Sequence, residues 1–204
     1  MTLGALAAIY FVQLAAAISP GPAILMAART GLREGFARGV WLSLGIGLGA
    51  AFWALAALFG LSVLFRIAPA LLTALKFAGA AYLLWMAVKM WRHAPDPIDE
   101  TDAKTAGRSD AGLFRLGLAI QLANPKPAIF FGTVFLTFLP PDAPGWAYPA
   151  ILLMVLVNDS ACAMLVAGIF SLERTRRAYV GLKTAFERVF GGLLALLGLK
   201  LALT

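Results

Sequence analysis

The stretch "AAAISPGPAILMAART", residues 15–30, decides how this chain is read. It sets Pro20, Gly21 and Pro22 inside an opening run of 28 residues that carries no charged side chain. Proline removes a backbone donor and clashes with the turn before it, so a helix cannot pass this point undisturbed. A plain membrane anchor has no use for such an interruption. An apolar segment broken from within needs a reason.

The remainder of the chain identifies its solvent. Of 204 residues, 61% are hydrophobic and only 13% charged, and the mean hydropathy is +0.86. Soluble domains carry about 25% charged residues. Residues 1–28 and 39–65 contain no Lys, Arg, Asp or Glu; 67–88 contain only Lys76, 116–141 only Lys126, and 143–172 only Asp159. A shorter apolar stretch covers 184–203. About 20 apolar residues cross a bilayer core, so the pattern predicts an all-α integral membrane protein with six transmembrane helices. The single Cys162 excludes an internal disulfide, and the lone His93 excludes a site built on two histidines. No basic residue precedes the first run, as a cleaved signal peptide requires, so that span is expected to be retained.

Thirteen of the seventeen Lys and Arg residues fall in the first, third and fifth connections. The positive-inside rule then puts those loops in the cytoplasm and both termini outside. The net charge of +7 is accounted for as a topology signal and calls for no nucleic-acid partner. The longest connection, "RHAPDPIDETDAKTAGRSD", mixes both charge signs with two prolines and reads as a flexible cytoplasmic linker. It divides the chain into residues 1–92, a linker at 93–111, and residues 112–204. Each half has three spans. Because three is odd, the halves enter the membrane in opposite directions, as inverted repeats do.

The second half contains a counterpart to the opening stretch. "GLAIQLANPKPAIFFGTVFL", residues 117–136, sets Asn124, Pro125, Lys126 and Pro127 within the fourth span, 105 residues after the first break. Ser19 and Asn124 are both N-cap residue types, and a proline after each suits a first helical position. The first and fourth helices are therefore expected to stop and restart at Pro-x-Pro motifs, leaving half-helix N-termini inside the protein. Paired interruptions of this kind point to a transporter's binding site.

Two charges lie deep in these spans. Asp159 is 13 residues beyond Trp146 and Lys126 is 14 beyond Gly112, which is ~20 Å from each span's end. An ionised group there costs at least ~2.5–3.5 kcal/mol and needs a partner or water. Either the two neutralise each other, or they serve transport. In the second case Asp159 holds an ammonium or carries a proton, while Lys126 and the N–H groups after each break attract a carboxylate. The candidate substrate-binding or proton-coupling residues are thus Ser19, Pro20, Gly21, Pro22, Asn124, Pro125, Lys126, Pro127 and Asp159. Lys76, near the outer end of its span, reads as a snorkelling side chain.

Small residues mark close helix approaches. Gly35, Gly39, Ser43 and Gly47 recur every four positions, with Gly45 and Gly49 offset, and Gly191, Ala195, Gly198 and Ala202 repeat the pattern. These faces favour contacts within the chain and leave a homo-oligomer open. No P-loop, H-E-x-x-H or G-x-S-x-G motif is present, so nothing points to an ATPase, a metalloenzyme or a serine hydrolase. No cofactor or metal is implied. A metal-ion or other small-solute exporter, or a channel of the same fold, is the alternative to a metabolite carrier.

Several segments carry a family resemblance. "SPGPAILMAARTGLREGFARGVWLSLGIGLG" resembles the N-terminal signature of the LysE/RhtB family of bacterial amino-acid exporters. "LKFAGAAYLLWMAVKMWR" resembles that family's third span and "NPKPAIFF" its fourth-span motif. "VLVNDSACAML", with Asp159, and "VFGGLLALLGLKLAL" resemble the fifth and sixth. The resemblance implies a six-helix inner-membrane protein that exports an amino acid or a related small zwitterion, driven by the proton motive force, with lipid as its surroundings. Leu139-Pro140-Pro141 stands where many members have Gln-Phe after a proline, and Ala163 and Ala167 lie where several have a tyrosine. These departures bear on the substrate.

The charge pattern makes a direct prediction. A reporter active only in the periplasm is expected to work when fused after Thr204 and to fail when fused at Asp99. The reverse pattern overturns the orientation.

Overall fold

The computed structural model describes residues 3–19, 21–67, 107–140 and 142–172, with scattered positions between 77 and 94 and between 184 and 203. Pro20, Lys76, His93, most of the third span and most of the linker lie outside the described residues. Six helices have their bounds within them: α1 (Leu3–Ile18), α2 (Pro22–Glu34), α3 (Phe36–Ile67), α4 (Asp110–Leu122), α5 (Pro125–Phe138) and α6 (Ala147–Ser171); described positions between 77 and 92 and between 184 and 203 are helical as well.

Two of these are long and apolar enough to cross a membrane alone, α6 and the Phe36–Gly60 part of α3. α1 and α2 meet that test only together, as a span bent by 56°. α4 and α5 have 13 and 14 residues, so each is only ~20 Å long. The outer faces fit a lipid environment. Trp41, Leu44, Leu48, Phe52, Leu55 and Phe59 form an exposed row along α3, spaced three and four residues apart. Leu153, Val157 and Leu165 do the same on α6. Stripes this large and apolar signal a membrane or partner surface rather than a solvated one.

The helix starts follow local chemistry. Gly21 and Asn124 each precede a proline, which keeps them out of the α region. Both are extended, and α2 and α5 begin at Pro22 and Pro125. Asn124 Oδ1 accepts from Lys126 N at 3.1 Å. Ser19 does not cap α2. Gly21 takes that position without a side-chain bond, and the Ser19 hydroxyl turns back to donate to Ala16 O at 3.0 Å. α4 starts from Ser109, whose side chain accepts from Gly112 N.

Gly35 is also placed differently from the small-residue ridge expectation. It has φ of 82° and no neighbour near a would-be Cβ, so it supplies the left-handed turn between α2 and α3 rather than a packing contact. The rest of the ridge does bring backbones together. Gly39 faces Ala167, and Gly47 faces Ser160 and the Leu156 carbonyl, so α3 runs antiparallel to α6. Gly45 faces Phe114, Gly49 faces Gln121, and Gly117 of α4 faces the Leu42 carbonyl, so α3 and α4 run parallel. Arg38 fastens their shared end through Asp110 at 3.0 Å and the Arg108 carbonyl. Gly191 meets Trp91 and the Ala87 carbonyl.

Two apolar clusters frame the middle of the molecule. One joins Ile9, Ala50, Ala54, Phe131, Val134, Phe135, Ile151 and Val155; the other joins Ile24, Ala27, Leu42, Ile46, Leu113, Ala163 and Val166. The polar residues described next lie around the broken ends between these elements.

Because the α3–α6 approach leaves no room at Gly47, Gly47→Val is expected to destabilise the protein by about 1–3 kcal/mol. Gly132→Ala, where a Cβ meets nothing within 4 Å, is expected to be neutral. Thermal unfolding of both purified variants in detergent checks this, and equal midpoints would contradict it.

Candidate functional site

Four elements bring polar groups to one small cavity. It is lined by Gln13, Ser19 and Gly21 from α1 and the first break, Gln121 and Asn124 at the second, Lys126 and Pro127 of α5, and Asp159 of α6, among apolar neighbours including Phe130 and Phe131. Its volume is about 30 Å³, roughly enough for a water or two. An amino acid does not fit without movement.

Asp159 is buried, and α6 carries it beside the end of α1. Its two oxygens are held from opposite sides. Gln13 Nε2 donates to Oδ2 at 2.5 Å, and Gln121 Nε2 donates to Oδ1 at 3.4 Å. Asn158 in turn donates to Gln13 Oε1 at 2.7 Å, which fixes which end of that amide faces Asp159. The carboxylate thus accepts from two amide donors, with Lys126 in electrostatic range but not bonded to it. Gln121 Oε1 and Ser160 Oγ are buried without a hydrogen-bond partner. A buried acceptor without a donor costs about 1–3 kcal/mol, so Gln121 Oε1, on a cavity-lining residue, is an open acceptor position.

Lys126 faces the same cavity from the start of α5, and its ammonium lies on the end of α1. It donates to Ala16 O at 2.8 Å, to Ser19 O at 3.1 Å and to Ser19 Oγ. Three donors meet three oxygens. Neither Lys126 nor Asp159 is ion-paired among the described residues, and they do not pair with each other. No direct ion pair joins Lys126 and Asp159 among the described residues, although each lies within electrostatic range of the other.

Of the nine candidate residues, Ser19, Gly21, Asn124, Lys126, Pro127 and Asp159 line the cavity. Pro22 starts α2 and is exposed, Pro125 starts α5, and Pro20 lies outside the described residues. Gln13, Gln121 and Asn158 were missed, because the search through the spans followed charge and proline. The available signal was an uncharged amide side chain within an otherwise apolar run.

A family model described as LysE type translocator matches residues 14–204. The threonine efflux protein of Escherichia coli K12 is 31% identical over 199 residues, covering 95% of this chain and 95% of that protein. The homoserine/homoserine lactone efflux protein of Salmonella typhimurium LT2 is 30% identical over 189 residues, 91% of this chain and 89% of its own. An uncharacterized membrane protein of E. coli K12, YahN, is 30% identical over 183 residues, 90% and 82% of the two chains. No solved structure matches.

The amide clamp generates a prediction. Gln13→Leu strips a donor from Asp159 and the acceptor from Asn158, both buried, and is expected to cost about 1–3 kcal/mol for each stranded group. Asn158→Leu, which leaves the Gln13 donor in place, is expected to cost less. A ranking of unfolding midpoints in the opposite order would contradict the clamp.

Proposed function

The chain belongs to the LysE type translocator family and is a transporter rather than an enzyme; from that premise we propose that it exports an amino acid or a related small zwitterion across the bacterial inner membrane. The observation that carries this reading is the separation of charge. A basic and an acidic side chain face one small cavity, each hydrogen-bonded to neutral groups and the two not joined in a direct ion pair. A zwitterion presents the complementary pair. Its ammonium would meet Asp159 and the open Gln121 acceptor. Its carboxylate would meet the field of Lys126 and the N-terminal ends of α2 and α5, where Gly21, Asn124 and Pro127 border the cavity.

The names of the relatives support amino acids as the substrate class, since threonine and homoserine are amino acids and homoserine lactone is the cyclic ester of one. The substrate proposed for this chain is accordingly a small polar amino acid. In this proposal the described state is one that has no substrate bound, because its cavity is smaller than such a substrate. Export would alternate it with states open to either side, and the proton motive force would drive the cycle, with Asp159 as the proton-carrying group.

The architecture proposed for this cycle is the six-span inverted repeat, with residues 1–92 and 112–204 as its halves and both termini outside. Support comes from helix directions. α3 returns antiparallel to α2 after the Gly35 turn, and α4 runs parallel to α3, so α2 and α4 run oppositely. Each half also pairs a broken segment with a long helix, α1–α2 with α3 and α4–α5 with α6. Binding at such broken helices near the midplane is the arrangement of many secondary carriers.

Counterflow in proteoliposomes tests the proposal. Uptake of a labelled amino acid is expected to fall with unlabelled threonine or homoserine. The N-acetyl derivative, without an ammonium, and the methyl ester, without a carboxylate, are each expected to compete at least about tenfold more weakly, a difference of about 1.4 kcal/mol. Asp159→Asn is expected to abolish uptake and Asp159→Glu to retain part of it. Competition by either derivative as strong as that of the parent amino acid would reject a zwitterion site.

A further inference from the structure

The end of α1 invites a separate question, because a full positive charge rests there on neutral oxygens. The helical partner of the Ala16 carbonyl would be the N–H of residue 20, and Pro20 has none. Carbonyls at a helix C-terminus lack intrahelical donors and carry the negative end of the helix dipole. Here the Ala16 carbonyl accepts from the Ser19 N–H at 3.2 Å and from the Ser19 hydroxyl at 3.0 Å, and it lies with the Ser19 carbonyl inside an apolar span, where water is not available. Ser19 adds its hydroxyl oxygen, and is itself fully buried.

We infer that the end of α1 is a binding site for a primary ammonium, which the chain fills with its own Lys126. The three oxygens converge on Nζ from one helix end, and the lysine arrives from α5, in the other half of the sequence. The 2.8 and 3.1 Å separations are hydrogen-bond lengths suited to N–H donors. Gly21 stands beside the ammonium, where a Cβ would come 3.9 Å from Nζ. Asp159 is not bonded to it directly but lies within its electrostatic range. The site thus has the makings of a carrier's cation position, with half-helix carbonyls supplying the oxygens, but the cation is tethered. Its position bridges the two broken segments, so this arrangement requires no cation from solution. Because Ser19, Gly21 and Lys126 also line the cavity, a small ammonium can occupy the position once the lysine stem is removed.

The test uses Lys126→Ala in detergent and needs no transport. Ethylammonium chloride replaces the lost end of the side chain, while tetramethylammonium chloride has the same charge and no N–H donor. Ethylammonium is expected to raise the unfolding midpoint of Lys126→Ala by several degrees more than tetramethylammonium at equal concentration and pH. The wild type, whose site is filled, is expected to respond equally to both. A variant that does not distinguish the two salts, or a wild type that distinguishes them as strongly, overturns the inference. If the alanine variant does not accumulate, the intact chain labelled with ¹⁵N-lysine decides the matter. A slowly exchanging ammonium signal that Ser19→Ala shifts or removes supports the site, and the absence of any protected lysine ammonium rejects it. These readouts can fail while amino-acid counterflow succeeds, and the reverse, so the two proposals are separately testable.

Discussion

Every helix end inside an apolar slab leaves carbonyls that must find donors, and the satisfaction of those carbonyls organises this molecule. α1 stops at Ile18, and the Ala16 and Ser19 carbonyls receive the Lys126 ammonium from α5, Ala16 also accepting from Ser19. α4 stops at Leu122, and the Gln121 carbonyl receives the Trp53 indole N–H from α3 at 3.2 Å. The end of each first segment is therefore served by a side chain from the other half of the sequence. Such contacts cannot form until the halves dock, so they tie the broken helices to one arrangement. Glycines along α3 let the docking happen, because Gly45, Gly47 and Gly49 admit the neighbouring backbones that a Cβ would exclude.

The same economy shapes the cavity. Lys126 spends its donors on carbonyls and Asp159 takes its donors from two glutamines. Had the two formed an ion pair, the site would present little net field to a ligand, and breaking the pair would strand a buried charge. Holding each charge with neutral groups keeps both available as fields across a small space. Gln121 links the two features, since its carbonyl belongs to the second break while its side chain donates to Asp159. A shift at that break would therefore be felt by the carboxylate directly.

What could be read from the sequence follows the range of the interactions. Asn124 at the start of α5 is a local event, written in an amide side chain followed by proline. The membrane environment is written in composition, and α3 and α6 in the length of two apolar runs. The family was readable from Ser19-Pro20-Gly21-Pro22 and Asn124-Pro125-Lys126 together, and the family model covers residues 14–204. Ser19 was not readable in the same way. Its hydroxyl chooses between capping α2 and closing α1, and the incoming Lys126 from 107 residues away joins it on the α1 side. Gly35 matched a four-residue repeat by spacing alone, but its positive φ comes from the turn into α3. Gln13, Gln121 and Asn158 were hidden because an amide carries no charge to mark it, and only the fold brings residues 13, 121 and 158 to one carboxylate.

The central claim is that Asp159 and a separate positive field divide a zwitterion between them. The most direct measurement is a double-mutant cycle across the protein and its ligand, using an amino acid and the corresponding 2-hydroxy acid, which lacks the ammonium. Affinities are measured for the wild type and for Asp159→Asn. The account predicts that the wild type prefers the amino acid at least about tenfold, a coupling of about 1.4 kcal/mol or more, and that Asp159→Asn loses the preference. An equal preference in both proteins would contradict it.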